Sequence, residues 1–353
     1  MRFPSPAAWR PLIGPTCLTL LAGTLGGFLF ERLGMPAPWM SGALVGTTLL
    51  ALAPAPSALP EPLRFLSFLI LGCSMGAALS PEMLARAATW PVSMGFLAVS
   101  VALVMVGVTL FLRRVAGWNL ETAFYASIPG ALSAVIAMAA TTTADMRRVA
   151  FAQALRLFLL VAALPHILGA AGSHAPRVAA ETHATALGPL VLLIAAALCG
   201  GLIFARLRVP GGILVGAMAA SAVLHATGLS DAQIPNLLLI PSFIILGAGV
   251  GLRFKGTDMR TLRESVFASL GAVVVAVGIS VVFALLAAWI TGEEAGKMVT
   301  AFAPGALETM TVLGFALGYD PAFMSAHHLF RFAGLSIAMP LLAHLLFSMR
   351  RER

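Results

Sequence analysis

An all-α integral membrane protein, a polytopic helical bundle of two homologous repeats with short or interrupted helices, is the fold class that this sequence predicts. Three observations lead there. Of the 353 residues, 59% are hydrophobic and only 10% charged, with a mean hydropathy of +0.96. A soluble domain spends roughly a quarter of its residues on charge, and one aqueous core does not absorb this much apolar sequence and still leave a charged surface. Second, the chain repeats itself at an offset of 174–175 residues. Third, helix-breaking Pro and Gly recur at corresponding places in both copies, which lipid tolerates only where the freed backbone groups meet protein or water.

The repeat is anchored along its whole length. GGFLFERLGMPAPWMSGALVG from Gly26 is answered by GGLIFARLRVPGGILVGAMAA from Gly200, and LGCSMG at 71–76 by LGAGVG at 246–251. SIPGALS at 127–133 is answered by APGALE, with Pro129 opposite Pro304 and Gly130 opposite Gly305. Asp145 pairs with Asp320, Arg156 with Arg331 and Pro165 with Pro340. The expected domains are a first membrane repeat over 12–171, a linker over 172–186 carrying Pro176, Arg177 and Glu181, and a second repeat over 187–347.

Taken in order, the first repeat holds apolar stretches at 12–30, 37–53, 63–79, 91–112, 122–140 and 150–171. The second holds them at 187–205, 211–228, 236–252, 265–291, 298–317 and 325–347. The opening stretch, though preceded by Arg2 and Arg10 like a leader, repeats mid-chain and reads as the first membrane helix. Several stretches have about 17 residues, the lower edge of what spans a hydrocarbon core about 30 Å thick. Pro36 and Pro210 mark the joint after the first stretch of each repeat. Gly72 and Gly76, with Gly247 and Gly251, stand four apart on one helix face, the spacing of close helix packing.

The fifth stretch is broken by Pro129-Gly130 and Pro304-Gly305. A transmembrane helix broken there leaves a half-helix N-terminus near the midplane, whose free N–H groups attract an anion. Glu308, three residues beyond Gly305, is a carboxylate in an apolar run and a candidate for proton or cation coupling; Ser133 stands opposite it. The sixth stretch opens with Gln153 and Arg156 in one copy and His328 and Arg331 in the other, each pair on one helix face. The arginines are either snorkelling residues at the interface or the cationic part of an anion site. Asp145 and Asp320 precede helices and read as caps. Arg113-Arg114 and the group Arg253, Lys255, Arg260 and Arg263 fall on opposite sides under strict alternation, which favours an odd number of crossings and inverted repeats.

The net charge of +8 is spread singly or in pairs, with no basic stripe, so nucleic acid is not an expected partner and anionic lipid is. Cys17, Cys73 and Cys199 have no pairing or ligand spacing and read as buried small residues. His327 beside His328 lacks the company a metal needs. No HExxH, GxSxG, P-loop or CxxCH run is present, so neither an enzyme nor a cofactor is expected.

ERLGMPAPWMSGAL at 31–44 against ARLRVPGGILVGAM, the paired LGxxxG stretches and the repeated PGAL segments resemble the bacterial AbrB-type membrane family over nearly the whole chain. That family carries a duplicated hydrophobic region, and its members bear labels such as transporter, ammonia monooxygenase or regulator. More distantly, two repeats with interrupted helices resemble secondary transporters of the cation/proton antiporter and bile-acid-symporter type. The expectation is a multi-pass protein of the cell inner membrane that carries a small anionic or zwitterionic solute, with proton or cation coupling. Pro129, Gly130, Arg156, Pro304, Gly305, Glu308, His328 and Arg331 would bind it. The alternative is a channel-like or regulatory scaffold without turnover.

Overall fold

Apolar runs of this length become helices because lipid offers no partner to a backbone N–H or C=O. A computed structural model describes residues 6–53, 55–79, 86–130, 132–170, 187–257 and 259–351. These form fourteen α-helices and two short 3-10 turns, with no strand among the described residues. The first seven helices are α1 (Pro6–Arg32), α2 (Pro38–Leu52), α3 (Glu61–Ala77), α4 (Trp90–Arg114), α5 (Leu120–Ser127), α6 (Leu132–Ala139) and α7 (Met146–Ala170). The next seven are α8 (Leu187–Arg206), α9 (Gly212–Ala226), α10 (Asn236–Gly251), α11 (Met259–Thr291), α12 (Ala295–Phe302), α13 (Leu307–Ala316) and α14 (Pro321–Arg351). The second series follows the first in order and approximate length. Seven helices among the described residues are long and apolar enough to cross a membrane. The expected linker at 172–186 and the side chain of Ser133 lie outside the described residues.

The helices fall into two compact units. One comprises Met1–Ala88, Leu157–Met259 and Glu308–Met324. Its helices meet through glycine. Gly26 of α1 lies against the Gly42 carbonyl of α2, and Gly200 of α8 against the Gly216 carbonyl of α9. The third helix of each series then packs on the second helix of the other. A Cβ placed on Gly72 of α3 would stand 2.6 Å from the Leu214 carbonyl of α9. Likewise, a Cβ on Gly251 of α10 would stand 2.7 Å from the Leu44 carbonyl of α2. Ser221 seals the α3–α9 contact by donating to the Cys73 carbonyl at 2.7 Å. Lipid tails are as apolar as leucine, so backbone approach and fit, rather than apolar burial, hold such helices together. Of the cysteines only Cys73 is buried. Cys17 and Cys199 are exposed on α1 and α8, whose faces are left free for lipid, which corrects the reading of all three as interior.

The other unit comprises Thr89–Arg156, Arg260–Leu307 and Ser325–Arg353. Leu97, Val104, Val108 and Leu112 line one face of α4. Val104, Val108 and Leu112 belong with Ala272 and Ala276 of α11 and Leu335 and Met339 of α14 to a region of dense packing that also takes Phe124, Tyr125 and Ile128.

The fifth stretch of the first series does not run through this unit: it doubles back. Asn119 caps α5 by accepting from the Thr122 N–H at 2.7 Å, and its amide donates to the Thr143 carbonyl, beyond the end of α6, at 3.2 Å. The Glu121 carboxylate accepts from the Thr143 hydroxyl at 2.6 Å, and the Thr122 hydroxyl accepts from the Asp145 N–H at 2.8 Å. The start of α5 and the segment after α6 are therefore side by side, and 128–130 lies at the tip of a helical hairpin. Each arm has eight residues, about 12 Å at 1.5 Å per residue, under half of a core about 30 Å thick. The fifth stretch, expected to be interrupted at Pro129-Gly130, is interrupted there and folds back as a hairpin, because polar side chains at 119–122 and 143–145 bind each other across the two ends.

Candidate functional site

A hairpin that stops inside an apolar medium leaves the last carbonyls of its first arm without helical partners. Pro129 cannot donate to them, and Gly130, at φ +88°, takes the left-handed turn that a side chain would resist. Arg156 supplies the donors. Ten residues into α7, it has descended about 15 Å, the depth of the hairpin tip. Its guanidinium donates to the Ile128 carbonyl at 2.8 Å and, at longer range, to the Ala126 and Ser127 carbonyls at 3.4 and 3.5 Å.

Arg331 occupies the same place in the second series, ten residues into α14. It donates to the Ala303 carbonyl and, at 2.6 Å, to the Gly305 carbonyl, on either side of Pro304. Both arginines are almost fully buried, at 5% and 4% exposure, and among the described residues neither pairs with a carboxylate within 4.0 Å. Snorkelling to the interface is thereby excluded for both. Guanidinium suits the task because its fork of five donors reaches several carbonyls at once, and the negative ends of α5 and α12 offset part of its charge.

The two breaks touch. A Cβ placed on Gly130 would lie 3.4 Å from the Gly305 carbonyl oxygen. Pro129, Gly130, Arg156, Pro304, Gly305 and Arg331 are thus brought into one region, with His328 one turn before Arg331 on α14.

The neighbours of the arginines differ between the series. Gln153 donates to the Tyr125 carbonyl at 3.1 Å, adding a fourth carbonyl to those held at the first tip. His328, its counterpart, is fully buried, and neither ring nitrogen has a hydrogen-bond partner among the described residues. Adjacent His327 turns elsewhere: its Nε2 is 2.7 Å from the Ser93 hydroxyl of α4, and its ring lies near that of Trp90.

Glu308 stands in the first turn of α13, half-buried, and is described with the glycine-packed unit, where Arg253 is an electrostatic neighbour. Asp145 and Asp320 are helix caps, as expected: Asp145 accepts from the Arg147 and Arg148 N–H groups, and Asp320 from those of Ala322 and Phe323. Among the described residues no group of three or more His, Cys, Asp or Glu is placed to hold a metal. Sequence reasoning missed Asn119, Glu121 and Thr143, which close the hairpin. The signal was available: a cap residue at Asn119 and the polar run TTTAD at 141–145 bracket barely twenty residues.

A family model described as "Transition state regulatory protein AbrB" matches residues 39–347. The chain is similar to "Putative regulator AbrB" of Escherichia coli (strain K12), with 28% identity over 354 aligned positions that cover 94% of this chain and 95% of that protein. It is also similar to "Uncharacterized protein YhjN" of Bacillus subtilis (strain 168), with 24% identity covering 93% and 92%.

Proposed function

The chain belongs to the AbrB family, and from that premise we propose that it is a secondary carrier of a small carboxylate-bearing anion or zwitterion in the cell inner membrane. The observation that carries this reading is the meeting of two backbone breaks, each held by a buried arginine without a carboxylate partner among the described residues. A buried charge is costly unless paired. The half-charges of roughly −0.5 at the C-terminal ends of α5 and α12 offset only part of two full positive charges, and an anion at the breaks offsets more. The solute-binding set is Pro129, Gly130, Arg156, Pro304, Gly305, His328 and Arg331, with Glu308 as the coupling carboxylate.

The repeats are taken as 12–171 and 187–347, joined by 172–186. An odd number of crossings in each repeat makes the repeats inverted, and alternating access arises by motion of one set of helices against the other. The chain works as a carrier and not as an enzyme.

In proteoliposomes, a panel of small radiolabelled carboxylates should include one whose uptake saturates and shows counterflow, with pH dependence that Glu308→Gln removes. Absence of both saturation and counterflow across the panel would leave the second reading, a channel-like or regulatory membrane protein without turnover, which the printed name of the Escherichia coli relative favours. Undiminished pH dependence in Glu308→Gln would remove Glu308 from the coupling step while leaving the carrier in place.

A further inference from the structure

Among the polar groups near the breaks, His328 stands apart. Arg156, Gln153 and Arg331 spend their donors on backbone carbonyls, and His327 spends its ring nitrogen on Ser93. The imidazole of His328 is fully buried and has no hydrogen-bond partner among the described residues. Most buried polar atoms have a partner, and one that has none in the protein calls for an explanation such as a ligand. The duplication sharpens the point: at the corresponding place the first series carries Gln153, whose amide donates to the Tyr125 carbonyl. The fold therefore has a working solution at this position, and the second series does not use it.

We infer that His328 is the specificity-determining contact of the site and that it selects a hydroxy-carboxylate. A neutral imidazole offers one N–H donor and one lone-pair acceptor, on different edges of the ring. A plain carboxylate has acceptors only and leaves the lone pair of His328 unmet. A hydroxyl donates to that lone pair, while the carboxylate is drawn by Arg331, one turn along α14. An ammonium would donate equally well, but the two guanidiniums of Arg156 and Arg331 repel it. A hydroxyl carries no such cost. The inference rests on the reading of the breaks as an anion site and adds the group that the solute carries beside its carboxylate.

The test is equilibrium binding to the full chain in detergent, by calorimetry and thermal stabilisation, using matched pairs that differ by one hydroxyl: lactate against propionate, and malate against succinate. At least one hydroxy acid should bind about tenfold or more tighter than its deoxy partner, the effect of leaving a buried group unpaired. His328→Phe should abolish that preference, so that each hydroxy acid and its deoxy partner bind within about twofold of each other. It should also keep or raise the melting temperature of the ligand-free protein, since it removes an unpaired buried polar group. His328→Gln, the residue of the first series, should retain part of the preference. Equal binding of both members of every pair, or a preference that survives His328→Phe, would overturn the role of His328 and leave the anion site standing. A hydroxyl preference in the unsubstituted protein reads the inference directly even where a variant folds poorly. If no carboxylate of either kind binds, the anion site fails and this inference with it.

Discussion

The glycine-packed helices of one unit and the paired breaks of the other are both duplicated, but they have kept different things. In the first, the contacts themselves are preserved: Gly26 on Gly42 matches Gly200 on Gly216, and Gly72 on Leu214 matches Gly247 on Met40. In the second, the arginines are preserved while their neighbours have parted, Gln153 engaged and His328 not. A backbone-to-backbone contact has one solution, because only glycine lets two helices approach so closely. A buried polar position has as many solutions as there are partners. Divergence therefore concentrates where polar chemistry is held.

The largest test of this contrast is to remove an arginine. Arg331→Ala strands the Ala303 and Gly305 carbonyls in an apolar interior and should destabilise by about 3 kcal/mol or more, read as a loss of thermal stability in detergent. Arg331→Lys keeps the charge without the fork and should recover about half. An unaltered melting temperature in Arg331→Ala would mean that the carbonyls are held by something other than the guanidinium.

Next come the glycines. Gly72→Ala and Gly247→Ala should each cost about 1–3 kcal/mol through overpacking, despite the gain of roughly 1 kcal/mol that alanine brings to a helix. Gly278 on α11 has no atom within 4 Å of a would-be Cβ, so Gly278→Ala should stabilise by up to about 1 kcal/mol. If all three substitutions shift stability in the same direction, the distinction between packed and free glycine fails.

Glu121→Ala, which opens the hairpin's base, should cost about 1–2 kcal/mol. The shape itself is checked by Asn119→Cys and Thr143→Cys placed singly on a background without native cysteines. Both should react with an impermeant thiol reagent from the same side of the membrane; labelling from opposite sides would restore a helix that crosses. Smallest is the helix cap: Asp320→Ala should cost about 1 kcal/mol, and Asp145→Ala a similar amount, which sets the scale for a polar contact that repeats in both series without a binding role.

Much of this was legible early. The caps at Asp145 and Asp320, the joints after Pro36 and Pro210 and the packing role of Gly72 and Gly76 are local patterns, and local patterns survive without knowledge of the fold. The break of the fifth stretch is legible at Pro129-Gly130, but its return is not, because the apolar run of 122–140 has the length of a crossing and its direction depends on Asn119 and Glu121 meeting Thr143 more than twenty residues away. The arginines were visible as charges in an apolar run, yet snorkelling and burial leave the same trace in a sequence.

What the sequence determined by itself is the solvent, the duplication and the places where helices must break, since composition, periodicity and proline act through nearest neighbours. What only the tertiary structure decided is the return of the hairpin, the capture of the free carbonyls by Arg156 and Arg331, and the solitude of His328. In an apolar medium a polar group's role is fixed by the partner it finds, and those partners lie some thirty residues away along the chain or in the other half of the molecule.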